Sequence, residues 1–341
     1  MSTDKNTEGR LSLGIAGSGM IAKEVIPGLR NWGWEPEVLC GTARSAETLE
    51  KICTEQSIPV VYTDYDRMLE RAAIDTVYIA VPNDLHYEFA RKALLAGKNV
   101  IVEKPMVSNA NEAMALKHIA LESGLLLFEA VSTVYLPVYR KTKELLPKVG
   151  DVRLVSCNFS QYSSRIDAFR QGEKVPVFDR TRSGGALMDL NVYNLHWLTG
   201  LFGVPKDVTY AANFEGGVDT SGILTLDYGS FKAVSIAAKD CGAPCRYVIQ
   251  GTKGYIEMLS PANQCRNIRL HLNDGTEEYH EDSSESRLEA EFRSFADIIR
   301  RNDRDTWLAL IEDSLRVSRT LTLARLDAGI HVPADDMTIE L

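Results

Sequence analysis

The chain has 341 residues, with 38 Lys and Arg against 47 Asp and Glu, a formal charge of −9. With 45 % hydrophobic and 25 % charged residues, the composition excludes disordered, fibrous and low-complexity classes. The acidic balance lacks any run of five basic residues, which argues against nucleic acid or an anionic membrane as partner; no apolar stretch approaches the roughly 18 residues of a membrane-spanning helix.

The first third alternates apolar runs with amphipathic stretches. Strands are expected at Leu11 to Ala16, Glu37 to Gly41, Pro59 to Tyr62, Thr76 to Val81, Asn99 to Val102 and Leu125 to Phe128. Helices fall between them at Met20 to Asn31, Ala46 to Gln56, Tyr65 to Arg71, Leu85 to Leu95 and Asn111 to Glu122. This rhythm builds right-handed βαβ units, with helices on both faces of a parallel sheet. Pro27 lies inside the first helix, where it removes a hydrogen bond, so a kink or a break at Ile26 is expected.

After Pro137 the pattern changes. A helix from Val138 to Leu146 precedes β-rich segments at Val152 to Gln161, Val208 to Asn213, Gly222 to Tyr228, Phe231 to Ala238, Arg246 to Gln250 and Tyr255 to Met258. Short turns such as Asp227-Tyr228-Gly229-Ser230 favour antiparallel pairing. Gly185 to Leu201 and the last fifty-odd residues read as helical. The fold class is α/β: a doubly wound parallel sheet of the Rossmann type in residues 1–129, then an α+β domain on a mostly antiparallel, open-faced sheet in residues 130–341.

Directly after the first strand, Gly17, Gly19 and Ala22 make a GxGxxA pattern. The first glycine permits a tight turn, the second lets backbone approach a pyrophosphate, and the helix N-terminus offers free N–H groups, so Gly17, Ser18, Gly19, Met20 and Ile21 are cofactor-binding candidates. An NAD-specific site carries an acid roughly 20 residues further on, at the end of the second strand. Here that stretch reads Val38 to Ser45 without an acid. Arg44 can instead pair with a 2′-phosphate, with Thr42 and Ser45 as hydroxyl donors, which favours NADP over NAD.

Two further segments carry a family resemblance. One contains Val81-Pro82-Asn83-Asp84-Leu85-His86, Ala96-Gly97-Lys98 and Glu103-Lys104-Pro105; the other is Gly184-Gly185-Ala186-Leu187-Met188-Asp189-Leu190-Asn191-Val192-Tyr193. In this order, together with the glycine loop, they resemble the Gfo/Idh/MocA oxidoreductases over nearly the whole chain. The resemblance implies hydride transfer between a nicotinamide and a sugar, polyol or related hydroxy-carbonyl compound. It places Pro82, Asn83, His86, Glu103 and Lys104 beside the cofactor.

Lys104 is then the lysine next to the nicotinamide and the reacting oxygen. Desolvation at a strand end can lower its pKa enough to assist proton movement. Asp189 and Tyr193 lie four apart, on one face of a helix beginning near Gly185. Tyr193 stands where the family has its proton donor, most like the dihydrodiol dehydrogenase branch, with Lys104 lowering its pKa and Asp189 orienting the substrate. His196, Tyr162 and Arg182 are further substrate-binding candidates, and Arg165 and Asp179 are pocket polars. Asp189 with His196 lacks a third partner for a metal, so cofactor chemistry without metal is expected.

Two departures fall near the expected pocket: Val134 stands where relatives carry Arg, and Asn191 where they carry Gly. Two other readings share this architecture: a glycosidase that uses NAD for transient oxidation, and a non-catalytic cofactor sensor, against which Lys104 and Tyr193 argue. The segment Met1 to Arg10 is polar and lacks a secretory apolar core, and the six scattered cysteines suit reduced thiols, so a cytoplasmic protein is expected. Alternating residues such as Ile223, Thr225, Val234 and Ile236 are compatible with a second buried sheet face in a homodimer or homotetramer.

Overall fold

The computed structural model describes residues 9–282 and 286–338; the polar residues 1–8 lie outside the described residues. In the first half, β1 (Leu11–Ala16), β2 (Trp34–Cys40), β3 (Val60–Tyr62), β4 (Thr76–Ile79), β5 (Asn99–Glu103) and β6 (Leu127–Ala130) form one sheet in the order β3-β2-β1-β4-β5-β6. Every pairing in it is parallel. All four residues of β4 and of β6 are buried. A parallel sheet covered by helices on both faces demands such unbroken apolar strands. The covering helices are α1 (Met20–Val25), α2 (Ala46–Gln56), α3 (Tyr65–Arg71), α4 (His86–Leu95) and α5 (Ala110–Glu122).

Local chemistry sets the element ends. Asp64 and Asn109 cap α3 and α5 by accepting from the N–H groups of Arg67 and Glu112. α1 stops at Val25, and a 3-10 turn over Ile26–Trp32 takes Pro27 in its first turn, where the missing N–H has no partner to lose. β2 starts three residues before the expected Glu37. Its Pro36 sits at a bulge, where the register steps from Leu13–Pro36 to Gly14–Val38, and a bulge is where a sheet tolerates proline.

The second sheet has eight strands: β7 (Val152–Ser160), β8 (Asp207–Glu215), β9 (Val218–Asp227), β10 (Lys232–Ala238), β11 (Arg246–Gly251), β12 (Gly254–Met258), β13 (Asn267–Leu272) and β14 (Glu277–Glu281). Their order is β14-β13-β12-β11-β7-β10-β9-β8, antiparallel except for the central β7–β10 pair. β13 and β14 escape a reading by hydrophobicity because His, Arg and Glu interrupt them, at the edge of the sheet in β14 and one strand in from it in β13. α6 (Pro137–Leu145), α8 (Val192–Phe202) and α10 (Arg304–Asp327) help cover one face of this sheet. The opposite face exposes Leu154, Ile223 and Tyr255. A short α7 (Ile166–Arg170) follows β7.

The last helices join the halves. α9 (Arg287–Arg301) buries Leu288, Phe292 and Phe295 in the core of the first sheet, and Phe292 O accepts a 2.9 Å hydrogen bond from the Trp34 indole. α10 starts in the same core with Trp307 and Ile311, then enters the second core with Val317, Leu321 and Ala324. The division of the chain near residue 129 is therefore not the division of the cores. Phe292→Ala is expected to lower the unfolding free energy by about 3–5 kcal/mol, measured by urea unfolding, because its ring contacts the first-domain aromatics Trp32 and Tyr78.

Candidate active site

β1 and β4 are neighbours, but the chain leaves them toward opposite ends of the sheet. This is the switch point where an open α/β sheet leaves a crevice beyond its strand ends. A cleft of about 900 Å³ opens there; the second domain walls it with Arg165, Pro176, Val177, Arg182, Asp189 and Tyr193.

The glycine loop fits a dinucleotide. Gly17 has φ +114°, and a Cβ there would lie 2.3 Å from Ala80 O, so only glycine allows this turn to pack on β4. At Gly19 a Cβ would meet nothing within 4 Å, and as N-cap it supplies no side-chain acceptor to α1. That leaves open backbone donors facing the cleft, as a pyrophosphate requires. At the end of β2, Thr42 and Ser45 bond to each other's groups: Thr42 N–H donates to Ser45 Oγ, and Ser45 Oγ donates to Thr42 O at 2.8 Å. The turn presents Arg44 between them, exposed and without an ion-pair partner among the described residues.

On the cleft floor, Lys104 at the end of β5 donates to Asp189 Oδ1 at 2.7 Å and to Asp189 O at 3.0 Å. The second oxygen of that carboxylate takes Lys239. Lys104 Nζ also stands 4.8 Å from the centre of the Tyr193 ring. Burial alone would lower the Lys104 pKa, but the Asp189 carboxylate outweighs it and holds the ammonium above the usual lysine range. The expected lowering is therefore corrected: Lys104 is a fixed cation. Burial likewise opposes ionisation of Asp189, and the two lysines overcome it, holding the carboxyl well below the usual range. For Tyr193, burial raises the pKa more than Lys104 and Arg287 lower it, so the phenol is neutral rather than acidified.

Asp189 and Tyr193 both reach the cleft, but not on one regular helix. Leu187–Asn191 forms a π turn ahead of α8, a widened turn often found at functional sites. Asp219, whose carboxylate accepts from Leu187 N–H at 2.7 Å, anchors its start.

Other candidates have varied placements. Pro82, Asn83, His86 and Glu103 line the cleft. The Asn83 amide donates to Ser183 O, and Arg182 pairs with Asp84 at 3.1 Å, so both tie the domains together across the cleft. His86 is fully buried, its nitrogens 2.8 Å from Pro105 O and 2.9 Å from Val81 O, and it braces the loop after Lys104. The Glu103 carboxylate accepts from the Tyr78 hydroxyl at 2.7 Å.

Tyr162 and His196 do not line the cleft. Tyr162 is exposed and its hydroxyl donates to Asp167, while His196 is buried behind α8, 3.1 Å from Glu129 Oε2. The three-residue step from Tyr193 turns His196 toward β6 instead. The two departures lie off the cleft as well: Val134 packs against both cores, and Asn191 accepts from Ser235 Oγ at 2.6 Å beneath the helix. Lys239 and Arg287, both near the reacting groups, were not marked by sequence. Each lies beside an ordinary element with no motif, and only folding brings it to Asp189 or Tyr193.

A two-domain architecture with a switch-point glycine loop beside a lysine, a carboxylate and a tyrosine defines a nicotinamide-dependent oxidoreductase. Residues 11–131 match the oxidoreductase family with an NAD-binding Rossmann fold, and residues 139–257 match the GFO/IDH/MocA C-terminal domain. The chain belongs to the Gfo/Idh/MocA oxidoreductase family. It is 33 % identical over 297 residues to scyllo-inositol 2-dehydrogenase (NADP(+)) IolU of Bacillus subtilis, covering 86 % of this chain and 90 % of that protein. It is 29 % identical over 256 residues to trans-1,2-dihydrobenzene-1,2-diol dehydrogenase of Xenopus tropicalis, covering 72 % and 74 %. In fold it is similar to aldose-aldose oxidoreductase of Caulobacter crescentus, with a TM-score of 0.80 at 22 % identity over 97 % of this chain and 100 % of that one.

The Asp189 pair carries a pH signature. Because its folded pKa lies below the unfolded one, its ionisation stabilises the fold above the ordinary aspartate range, and that contribution is lost as pH falls through the folded value. The stability difference between the native protein and Asp189→Asn is expected to stay level from about pH 5 to 8 and to shrink below about pH 4. Urea unfolding across this range measures it.

Proposed function

We propose that the protein is an NADP-dependent dehydrogenase or reductase of a sugar, polyol or related hydroxy-carbonyl compound. The carrying observation is the Lys104–Asp189 pair beside Tyr193, on the floor of the cleft that also holds the glycine loop. The nicotinamide nucleotide supplies the hydride acceptor or donor when bound. Backbone at Gly17 to Ile21 would hold its pyrophosphate, with Pro82, Asn83 and Glu103 lining the cleft beyond. Arg44, exposed at the rim beside Thr42, would take the 2′-phosphate. The relative of 33 % identity is named for NADP(+), which supports that preference.

Lys104, a fixed ammonium, donates to the substrate oxygen and polarises it. Tyr193 gives its phenolic proton to that oxygen in reduction and takes it back from the hydroxyl in oxidation. Asp189 holds Lys104 in place, and Arg182 closes the substrate side of the cleft through Asp84. The apolar residues Leu154, Ile223 and Tyr255 on the open sheet face support a homodimer or homotetramer. The six free cysteines support a reducing cytoplasm.

A panel of sugars and polyols with NADP or NAD, followed by nicotinamide absorbance, tests the reading. Net reduced cofactor is expected, whereas product without it would mark transient oxidation. Lys104→Ala and Tyr193→Phe are each expected to lower kcat by about 10²–10⁴-fold, and turnover within twofold of native would overturn the assignment. Arg44→Ala is expected to weaken NADP about tenfold to a hundredfold while leaving NAD unchanged, measured as Kd by nucleotide fluorescence. Light scattering at micromolar concentration is expected to give a mass of two or four chains.

A further inference from the structure

Lys239 directly follows β10 and is 6 % exposed. Its backbone N–H donates to Thr220 O, its ammonium lies 5.7 Å from the centre of the Phe178 ring, and it donates to Asp189 Oδ2. The same carboxylate serves Lys104 through Oδ1. The ion pairs of the described residues give Lys239 no second acid. The neighbouring Asp240 spends Oδ2 on the hydroxyls of Thr220 and Ser221. One carboxylate therefore faces two ammoniums, Lys239 buried and Lys104 on the cleft floor, and the trio carries a net positive charge.

Burying an uncompensated charge is costly, and an apolar side chain would fill this position at less cost. Packing alone does not explain it. Through Asp189 the charge adjoins Lys104, the group that would meet the oxygen whose charge changes in the reaction. In reduction a hydride forms the new C–H bond, and the π electrons of the C=O bond move to oxygen, which then takes the Tyr193 proton. A carboxylate paired with Lys104 alone would cancel that ammonium's field at this oxygen. Shared with Lys239, the carboxylate is held at both oxygens and only part of its charge opposes Lys104.

We infer that Lys239 is a positioning residue that acts through Asp189. It fixes the carboxylate and keeps the Lys104–Asp189–Lys239 trio net positive toward the developing alkoxide. The inference rests on the dehydrogenase reading above. The groups that set the local charge are Glu103 at the end of β5 and Lys104 after it, Asp189 from the π turn, Tyr193 from α8, Arg287 from α9 and Asp240 next to Lys239.

Lys239→Gln retains a donor without charge, Lys239→Arg retains charge, and Lys239→Met removes both. With the substrate found by the panel, the Gln and Met variants are expected to lose on the order of tenfold to a hundredfold in kcat with unchanged NADP affinity. Loss of a nearby cation raises the pKa of the phenol and hydroxyl, so the rise of the oxidation rate with pH is expected about one unit higher in Lys239→Gln. Lys239→Arg keeps the native profile. In the protein without nucleotide, the phenol titration step that Tyr193→Phe removes moves in the same direction. A pH profile unmoved in Lys239→Gln overturns the inference whatever happens to kcat, and the Gln and Arg variants decide the matter if the Met variant does not fold. Lys104→Ala is measured alongside: if it retains turnover, the dehydrogenase reading fails; if it is inactive while Lys239→Gln has the native profile, only the role of Lys239 fails.

Discussion

The contact between Lys104 and Asp189 is where the two halves of the molecule become one site. Lys104 follows β5 of the parallel sheet and Asp189 belongs to the π turn against the other sheet, so Lys104 finds its acid only across the seam. A buried ammonium or carboxylate left unpaired is strongly disfavoured, so the pair holds β5 and the start of α8 in register with each other. Tyr193, in the first turn of α8, is placed by the same contact. The charge state follows too: mutual attraction keeps Lys104 a cation and Asp189 an anion, while burial keeps the Tyr193 phenol neutral.

Other contacts across the seam support this register. Glu129 on β6 accepts from Met106 N–H at 2.8 Å, just after Lys104-Pro105, while its second oxygen meets His196 on α8. Behind them α10, about 36 Å long, runs from one core into the other. It begins with the Trp307 indole donating to Leu127 O, at the foot of the strand that carries Glu129. The seam is thus backed by the buried Glu129–His196 contact and a continuous helix. On the cofactor side, Asn83 and Arg182 cross the cleft through exchangeable polar contacts, which suits a surface that must admit and release a ligand.

His196 and Lys239 show where a sequence reading reaches its limit. His196 follows the candidate proton donor by three residues, yet it points away, because the helix buries that side against β6. Lys239 stands far from any motif, yet strand pairing carries it onto the Asp189 carboxylate. Spacing within one helix says which residues share a face. It does not say which face the sheet covers.

Much of the protein is nonetheless legible in its residues alone. Unbroken apolar runs separated by amphipathic ones are the form a covered parallel sheet must take, and the α2 and α3 ranges follow directly from that pattern. Gly17 is legible because a tight turn against β4 tolerates no side chain, and the missing acid after β2 is a local fact about Val38 to Ser45. Long-range contact decided the rest. β13 exists because β12 offers it a partner and the edge strand β14 because β13 does, and α9 belongs to the first core because Trp34 and Tyr78 receive Phe292. The charge of Lys104 depends on a carboxylate 85 residues away in the chain, and that carboxylate on a second lysine 50 residues further on. Periodicity and turn chemistry act between near neighbours and can be read in order, whereas burial and Coulomb attraction act between whatever the fold brings together.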